Sequence, residues 1–242
     1  MPAAKSSTPN RRLVWILGGA LVFVVILLLV SLIRPGESPA PGAQPEPGAN
    51  ATTETPPAIP DLARRVDGDP TAMGSLDAPV VLIEFADFRC PFCGVYARQT
   101  LPTLVEKYVE SGDLRVEWRD VPIFGEQSFD AAVAARAAGM QGMFWEYSEA
   151  IFAYPGSDHQ DLPRERLSEI AREIGIPDPA AFDAALDNPE LIAAVTADAT
   201  EAQALGVRST PAFIIGQTPL LGAQPLEAFV AAIDEELERA GR

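Results

Sequence analysis

The two cysteines of the chain, Cys90 and Cys93, are three residues apart and directly follow an apolar run, Val80–Ala86. Seven mostly β-branched and aromatic residues in a row predict a strand buried on both faces. After the second cysteine, apolar residues recur with helical spacing, and Pro102 is expected to kink that helix. The sequence therefore predicts a strand–helix unit in which the cysteine pair lies where the strand ends and the helix begins.

A helix N-terminus is a favourable place for a reactive sulfur. Its unpaired N–H groups and partial positive charge stabilise a thiolate. The pKa of a free thiol, near 8.5, falls to about 3.5–7 at such sites. Cys90, expected at the first helical position, is the predicted attacking sulfur. Cys93, about one turn deeper, is the predicted resolving sulfur.

Three other interpretations of the pair remain open. Half of a zinc site would need two further ligands, and the one imidazole of the chain is His159, which we expect at the solvated surface. A structural disulfide across so short a loop would stabilise little. A copper carrier would need soft ligands such as nearby methionines. Redox exchange is the favoured interpretation, and no metal or other cofactor is expected.

Charge excludes one class of partner. Lys and Arg number 18 and Asp and Glu 34, which gives a net charge of −16. Nucleic acids require a basic face, so they are not expected as partners.

The first part of the chain predicts a membrane anchor. Residues 13–33 are apolar and uncharged, and as a helix they would span about 31 Å, close to the thickness of a bilayer core. A buried globular helix or a cleaved signal peptide is the alternative, but the apolar region of a signal peptide is shorter. Three basic residues precede the run and one follows it, which predicts that residues 1–12 are cytoplasmic. Residues 34–60 are rich in proline and predict an extended extracytoplasmic linker.

Residues 61–242 have a globular composition and predict one domain. Its patterns give the order β-α-β, a helical block, then β-β-α. Besides the first strand and helix, these elements are a strand at 114–118, helices over about 126–205, strands at 212–215 and around 220–221 joined by Gly216 and Gln217, and a final helix over 225–240.

Three segments resemble one family. The run V-L-I-E-F-A-D-F-R-C-P-F-C (81–93), followed by a helix, resembles the active-site strand and helix of DsbA-like thiol–disulfide oxidoreductases of the thioredoxin superfamily. It is similar above all to their membrane-anchored extracytoplasmic members. G-V-R-S-T-P-A-F-I-I-G (206–216) resembles the cis-proline loop, and Q-G-M-F-W (141–145) is typical of the inserted helices. The resemblance covers residue 67 to the C-terminus.

The resemblance implies an α/β, thioredoxin-like fold. A central mixed sheet would be flanked by helices and interrupted by an inserted helical subdomain, and one N-terminal transmembrane helix would precede it.

The resemblance also assigns roles to residues. Cys90 matches the nucleophile and Cys93 the buried resolving cysteine. Pro211 matches the cis-proline that faces the pair, which would let Thr210 present backbone groups to an extended substrate.

Three further residues are candidates for the site. Glu84 interrupts the apolar strand and matches a buried acid that exchanges protons with the resolving cysteine; the alternative is an edge-strand carboxylate that reaches solvent. Pro91 and Phe92, between the cysteines, are expected to contact substrate. Neither adds charge, so helix terminus and backbone N–H groups are expected to stabilise the thiolate, with Arg89 as a possible minor contributor.

The implied function is oxidation of dithiols in secreted or cell-envelope proteins by a tethered monomer. A membrane redox partner would recycle the reduced pair. Reductase, isomerase and a non-catalytic binding or sensor module remain alternatives, because small changes around the thiolate set the direction of exchange.

Overall fold

The computed structural model describes residues 59–153 and 159–242. The predicted membrane span at 13–33 and most of the proline-rich segment lie outside these residues. Among the residues described, no helix has the length and hydropathy needed to cross a bilayer.

Five strands form one mixed sheet. They are β1 (Ala72–Met73), β2 (Val80–Ala86), β3 (Leu114–Asp120), β4 (Ala212–Ile215) and β5 (Thr218–Leu221), in the spatial order β1-β3-β2-β4-β5. The central pair, β2 and β3, is parallel, and the other pairs are antiparallel. The four longer strands confirm the sequence predictions, including the β4–β5 hairpin. The two-residue β1 was not predicted, because it is too short to show a pattern.

The helices that directly follow β2, together with the C-terminal helix, pack against the sheet. They are α1 (Pro91–Gln99), α2 (Leu101–Leu104), a π-helix (Val105–Val109) and α8 (Leu226–Arg239). Between the first two, Thr100 leaves regular helix geometry, with φ −109° and ψ −53°. The interruption lies two residues before Pro102, where the kink was predicted, because a proline ring conflicts with the carbonyl group four residues earlier in a continuous helix.

Between β3 and β4, the described residues form five helices. They are α3 (Glu126–Gly139), α4 (Phe144–Phe152), α5 (Arg164–Glu173), α6 (Pro179–Ala185) and α7 (Pro189–Ala204). Together they form the helical insert. Alanines fill much of α3, whose buried small side chains allow the neighbouring helices to approach closely.

Both faces of the central strand are covered. On one face, Val80 and Leu82 pack in a cluster with Tyr96 of α1 and Phe229 of α8. On the other face, Ile83 and its neighbours pack near α7. All seven residues of β2 are buried for this reason.

Aromatic side chains join the insert to the end of the central strand. Phe88, two residues before Cys90, stacks on Trp118 of β3 with ring centroids 4.7 Å apart and on Phe152 of α4 at 5.3 Å. The ring of Phe144 packs edge-on against the rings of both Phe88 and Trp118. This packing fixes the turn that leads into the cysteine pair.

Buried charges on β3 hold the first described residues in place. Both oxygens of Glu117 accept hydrogen bonds, from the backbone N–H groups of Arg64 and Arg65 at 2.9 Å each and from the side chains of Arg115 and Arg119 at 2.9 and 2.8 Å. Burial alone would raise the pKa of Glu117, but these donors hold it at about 2.

A second ion network connects the same segment to the insert. Asp198 of α7 pairs with Arg64 at 2.6 Å and with Arg136 of α3 at 2.5 Å, and it accepts the backbone N–H of Asp120. Arg136 also pairs with the Asp120 carboxylate at 2.6 Å. These ion pairs therefore connect the sheet, the insert and the segment around residue 64.

Candidate active site

Cys90 lies at the N-cap of α1, and Pro91 is the first helical residue. The backbone of Cys90 is extended (φ −77°, ψ 117°), so the expected first helical position is wrong by one residue. Its carbonyl accepts the N–H of Gly94, and its own N–H bonds to the carbonyl of Asp87. The sulfur still stands at the open N–H groups of the helix start.

The Cys90 thiol is strongly acidic. A hydrogen bond from the Cys93 thiol is the main reason that its pKa falls to about 6, against the opposing effect of burial. The Thr210 side chain and the backbone N–H groups of Phe92 and Cys93 lower the pKa further. The neighbouring thiol thus outweighs the backbone groups that the sequence pointed to.

Cys93 has the opposite character. It is fully buried, and this burial raises its pKa well above the ordinary value. The hydrogen bond to Cys90 and the charge of Glu84 act in the same direction. Both cysteines are free thiols, so the structure describes the reduced pair, one acidic and one not.

The loop before β4 packs against Cys90. The Cys90 Sγ donates to the carbonyl oxygen of Thr210 at 3.2 Å. The peptide bond between Thr210 and Pro211 is cis, as the resemblance implies, and both residues are buried. Among the described residues, the Thr210 Oγ1 has no hydrogen-bond partner while Cys90 is a thiol, so it is available to donate to the thiolate.

Glu84 lies in the middle of the sheet, paired in register with Trp118 on one side and Phe213 on the other. It is 1% exposed, which does not fit the edge-strand alternative. Burial, and secondarily the charge of Cys90, raise the pKa of Glu84 to about 8. Its Oε1 has no hydrogen-bond partner among the described residues. Glu84 is therefore a neutral acid at pH 7, next to the dithiol.

The Glu84 carboxyl group lines a cavity of about 680 Å³ between α1–α2 and α4. The indole Nε1 of Trp145, another lining residue, is buried without a partner. Buried polar atoms of this kind are ordinarily satisfied by water when the space allows it. The other lining residues are Met73, Ala97, Arg98, Leu101, Pro102, Val105, Glu106, Glu110, Trp118, Glu146, Ser148, Glu149, Phe152 and Ala153.

The two residues between the cysteines face outward to different degrees. Phe92 is 63% exposed, and Pro91 is half-buried. The exposed ring of Phe92 therefore leaves apolar surface open to solvent beside the cysteine pair.

Sequence reasoning missed how the turn before Cys90 is held. The Asp87 carboxylate accepts the N–H groups of Arg89 at 2.7 Å, Ile123 at 2.8 Å and Phe124 at 3.2 Å. The Arg89 guanidinium donates to the carbonyl groups of Phe124 and Gln160. An Asp three residues before the cysteine is the only sequence sign of this arrangement.

A metal site was one alternative for the cysteine pair. Within the described ranges, no three histidine, cysteine, aspartate or glutamate side chains are grouped so that they could hold a metal ion.

The profile of the thioredoxin family matches residues 67–235. A relative from Bacillus anthracis, described as a probable disulfide bond formation protein D, is 30% identical over 173 residues, which cover 69% of this chain and 78% of the relative.

Two solved structures share the fold. Oxidised BdbD from Bacillus subtilis superposes with a TM-score of 0.65 and 24% identity, over 71% of this chain and 94% of that one. A thioredoxin-like oxidoreductase from Silicibacter pomeroyi DSS-3 gives a TM-score of 0.61 and 28% identity, over 69% and 91% of the two chains.

Proposed function

Since this chain belongs to the DsbA-like thiol–disulfide oxidoreductases of the thioredoxin family, we propose that it is an oxidase that introduces disulfides into secreted or cell-envelope proteins. The Cys90–Cys93 pair is the redox centre of this proposal. The relative named as a disulfide bond formation protein supports the oxidising direction.

One observation carries the proposal: the two thiols have opposite acidities. The pKa of Cys90 is lowered to about 6, whereas that of Cys93 is raised well above its ordinary value. An acidic thiol is a good leaving group, and its stable thiolate favours the reduced enzyme over the disulfide form. A cysteine pair whose reduced form is the more stable one therefore oxidises substrate dithiols.

The exchange runs in two steps. A substrate thiolate attacks the Cys90 sulfur of the enzyme disulfide, which forms a mixed disulfide and releases Cys93 as a thiolate. Glu84, protonated at pH 7, gives its proton to that poorly stabilised thiolate. A second substrate thiolate then attacks the substrate sulfur and releases Cys90 as a thiolate. Two electrons pass from the substrate dithiol to the enzyme pair.

The surroundings of the pair suit an extended substrate. Thr210 and the cis Pro211 border Cys90, and an extended chain laid beside Thr210 would pair with the backbone of this loop as an added strand would. On the other side, Phe92 offers apolar surface, and Pro91 adds to it.

Residues 13–33 would hold the domain at the outer face of the membrane, and residues 34–60 would act as its linker. The length of the uncharged run supports this location. The reduced pair would then meet a membrane redox partner for reoxidation. Protease treatment of intact cells should cleave the domain while sparing residues 1–12, and complete protection of the domain would contradict this location.

The proposed function is tested with the full chain by two measurements, the thiol–disulfide equilibrium with glutathione and the rate of disulfide formation in a substrate protein. The reduction potential, measured against glutathione, should lie above about −150 mV, and a value near −270 mV would instead indicate a reductase. The oxidised enzyme should also form disulfides in a reduced, unfolded protein. C90S should have no activity, and an active C90S variant would overturn the assignment.

A further inference from the structure

The cavity between α1–α2 and α4 has the size and the walls of a ligand site. Its volume of about 680 Å³ falls within the range of about 300–1,000 Å³ that is typical of small-molecule pockets. Apolar side chains form most of the wall, and Trp118, Trp145 and Phe152 are the largest of them. The π-helix Val105–Val109 forms part of the wall, and π-helical turns are frequent at functional sites. The walls therefore suit a ligand with an apolar or aromatic body.

A buried carboxyl group without a partner marks the polar point of this cavity. Glu84 is 1% exposed, and its Oε1 has no hydrogen-bond partner among the described residues. The same side chain lines the cavity. An unpartnered buried polar atom costs free energy, so a polar group that enters the cavity and bonds to Glu84 would be stabilised there.

Carboxyl groups also dominate the charge around the opening. Glu106 of the π-helix and Glu110 just after it border the cavity on one side, and Glu146 and Glu149 of α4 border it on the other; all four are exposed. Arg98 is the one basic residue among the described lining residues, and its guanidinium donates to a backbone carbonyl group of α4. An opening with this charge concentrates cations and repels anions.

We propose that this cavity binds a small organic cation, a primary amine on an aromatic or aliphatic stem, in its ammonium form. The ammonium group bonds to the Glu84 carboxylate, and the stem lies against the apolar walls. Tryptophan rings add to the attraction, because their faces bind cations. Disulfide exchange does not require this ligand, so the proposal goes beyond the proposed function and does not depend on it.

The charge state of Glu84 makes amine binding depend on pH. Burial raises the pKa of Glu84 to about 8, so the ammonium group displaces a proton at pH 7 and meets a carboxylate at higher pH. From α1, Glu84 faces the thiols of Cys90 and Cys93 and the phenol of Tyr96; the glutamates of the opening and Arg98 stand across the cavity.

Of the buried groups around the carboxyl group, Glu84 alone changes its charge between pH 7 and pH 8.5. The pKa of Cys90 is already lowered to about 6, and the pKa values of Cys93 and Tyr96 are raised well above their ordinary values. The ionised fraction of Glu84 therefore rises from about a tenth to about three quarters in this window, and the affinity for an amine should rise about eightfold with it.

The test measures binding of 2-phenylethylamine to the reduced full chain by calorimetry at pH 8.5. The control ligand is 2-phenylethanol, which has the same stem and no charge. The parent should bind the amine at least about tenfold more tightly than the alcohol, because the ammonium group makes a charge-assisted bond to Glu84. E84Q should lose this preference, whereas E238Q, at an exposed glutamate outside the cavity, should keep it.

A spectroscopic measurement locates the bound amine without relying on a change at Glu84. The indole Nε1 of Trp145 is buried at the cavity without a partner. Its N–H resonance, assigned by its loss in W145F, should shift on titration of the parent with the amine. E84Q should show no such shift at the same amine concentrations.

Three results would overturn the inference. The parent could show no saturable binding of the amine, which would mean that water alone fills the cavity. The alcohol could bind as tightly as the amine, or E84Q could keep the preference for the amine, which would place the cation elsewhere on the acidic surface. None of these measurements uses disulfide exchange, so failure of the proposed function would be a separate result.

Discussion

The Sγ atom of Cys90 lies 3.2 Å from the carbonyl oxygen of Thr210, a residue 120 positions later in the chain. The thiol can donate to this oxygen, but a thiolate cannot, so ionisation exchanges one partner for another. The Thr210 hydroxyl has no other partner and is placed to donate to the charged sulfur. The loop before β4 thus contributes directly to the acidity of the nucleophile.

Replacing Thr210 with valine should raise the pKa of Cys90. Valine keeps the shape of threonine but lacks the hydroxyl donor, and a hydrogen bond to a charged group contributes about 1.5–3 kcal/mol, so the pKa should rise by about 1–2. Thiolate absorbance followed against pH measures it. T210S retains the hydroxyl and should titrate like the parent; a T210V titration identical to the parent would remove Thr210 from this role.

Cys93 should matter to the pKa of its partner even without disulfide chemistry. C93A removes the hydrogen bond that most lowers the pKa of Cys90, and that pKa should rise by about 1–2 units. C93S keeps an O–H donor and should shift it less. The pH dependence of alkylation at Cys90 reports both values, and equal shifts in the two variants would contradict the assigned cause.

Glu84 should make the fold less stable as the pH rises. The folded-state pKa of about 8 exceeds the ordinary 4.5, so between these values the folded protein holds a proton that the unfolded chain has lost. Stability therefore falls through that window, by at most about 5 kcal/mol. E84Q should gain in free energy of unfolding relative to the parent from pH 5 to pH 8, measured in urea.

The exposed Glu238 provides the control for that series. E238Q should follow the parent at both pH values. A constant gap between E84Q and the parent would show that Glu84 is ionised in the folded protein throughout.

Glu117 should stabilise the fold in its ionised form, whereas Glu84 is protonated in the folded protein at pH 7. E117Q leaves Arg115 without its carboxylate and Arg119 with only the longer ion pair to Glu201 at 3.4 Å, and it should cost about 3–5 kcal/mol of unfolding free energy at pH 7. Because the pKa of Glu117 is lowered to about 2, its contribution is complete above 4.5 and is lost as the pH falls toward 2. The gap between variant and parent should therefore narrow at pH 3, and E173Q, at an exposed ion pair, should change little at either pH.

Phe92 should act on protein substrates alone. F92A removes exposed apolar surface without opening a cavity, so the unfolding free energy should stay within about 0.5 kcal/mol of the parent. Oxidation of a reduced unfolded protein should slow several-fold, while exchange with glutathione should be unaffected. Equal slowing with both substrates would mean that Phe92 acts on the sulfur rather than on the bound chain.

Most of the secondary structure could be predicted from patterns among residues close in sequence. The apolar run of β2, the helical spacing after Cys93 and the turn at Gly216 each involve neighbours in sequence, and all three are found where expected. The position of Cys90 was off by one residue, because a helix boundary depends on the backbone angles of a single cap residue.

Long-range partners could not be predicted. The alternating charges of β3 predicted a strand, but not that Glu117 would be buried against Arg64, 53 residues earlier. His159 was expected at the surface, where it does lie, yet its bond to Arg89 spans 70 residues. Such contacts depend on how the helical insert packs against the sheet, and periodicity contains no information about that packing.

The cavity between α1–α2 and α4 is separate from the surface around Cys90. Its lining includes Glu84 but neither Cys90, Phe92 nor Thr210, so electrons and protons would enter from different sides. A bound client that covers the sulfur would leave this cavity uncovered. Return of a proton to Glu84 would therefore not have to wait for the client to leave.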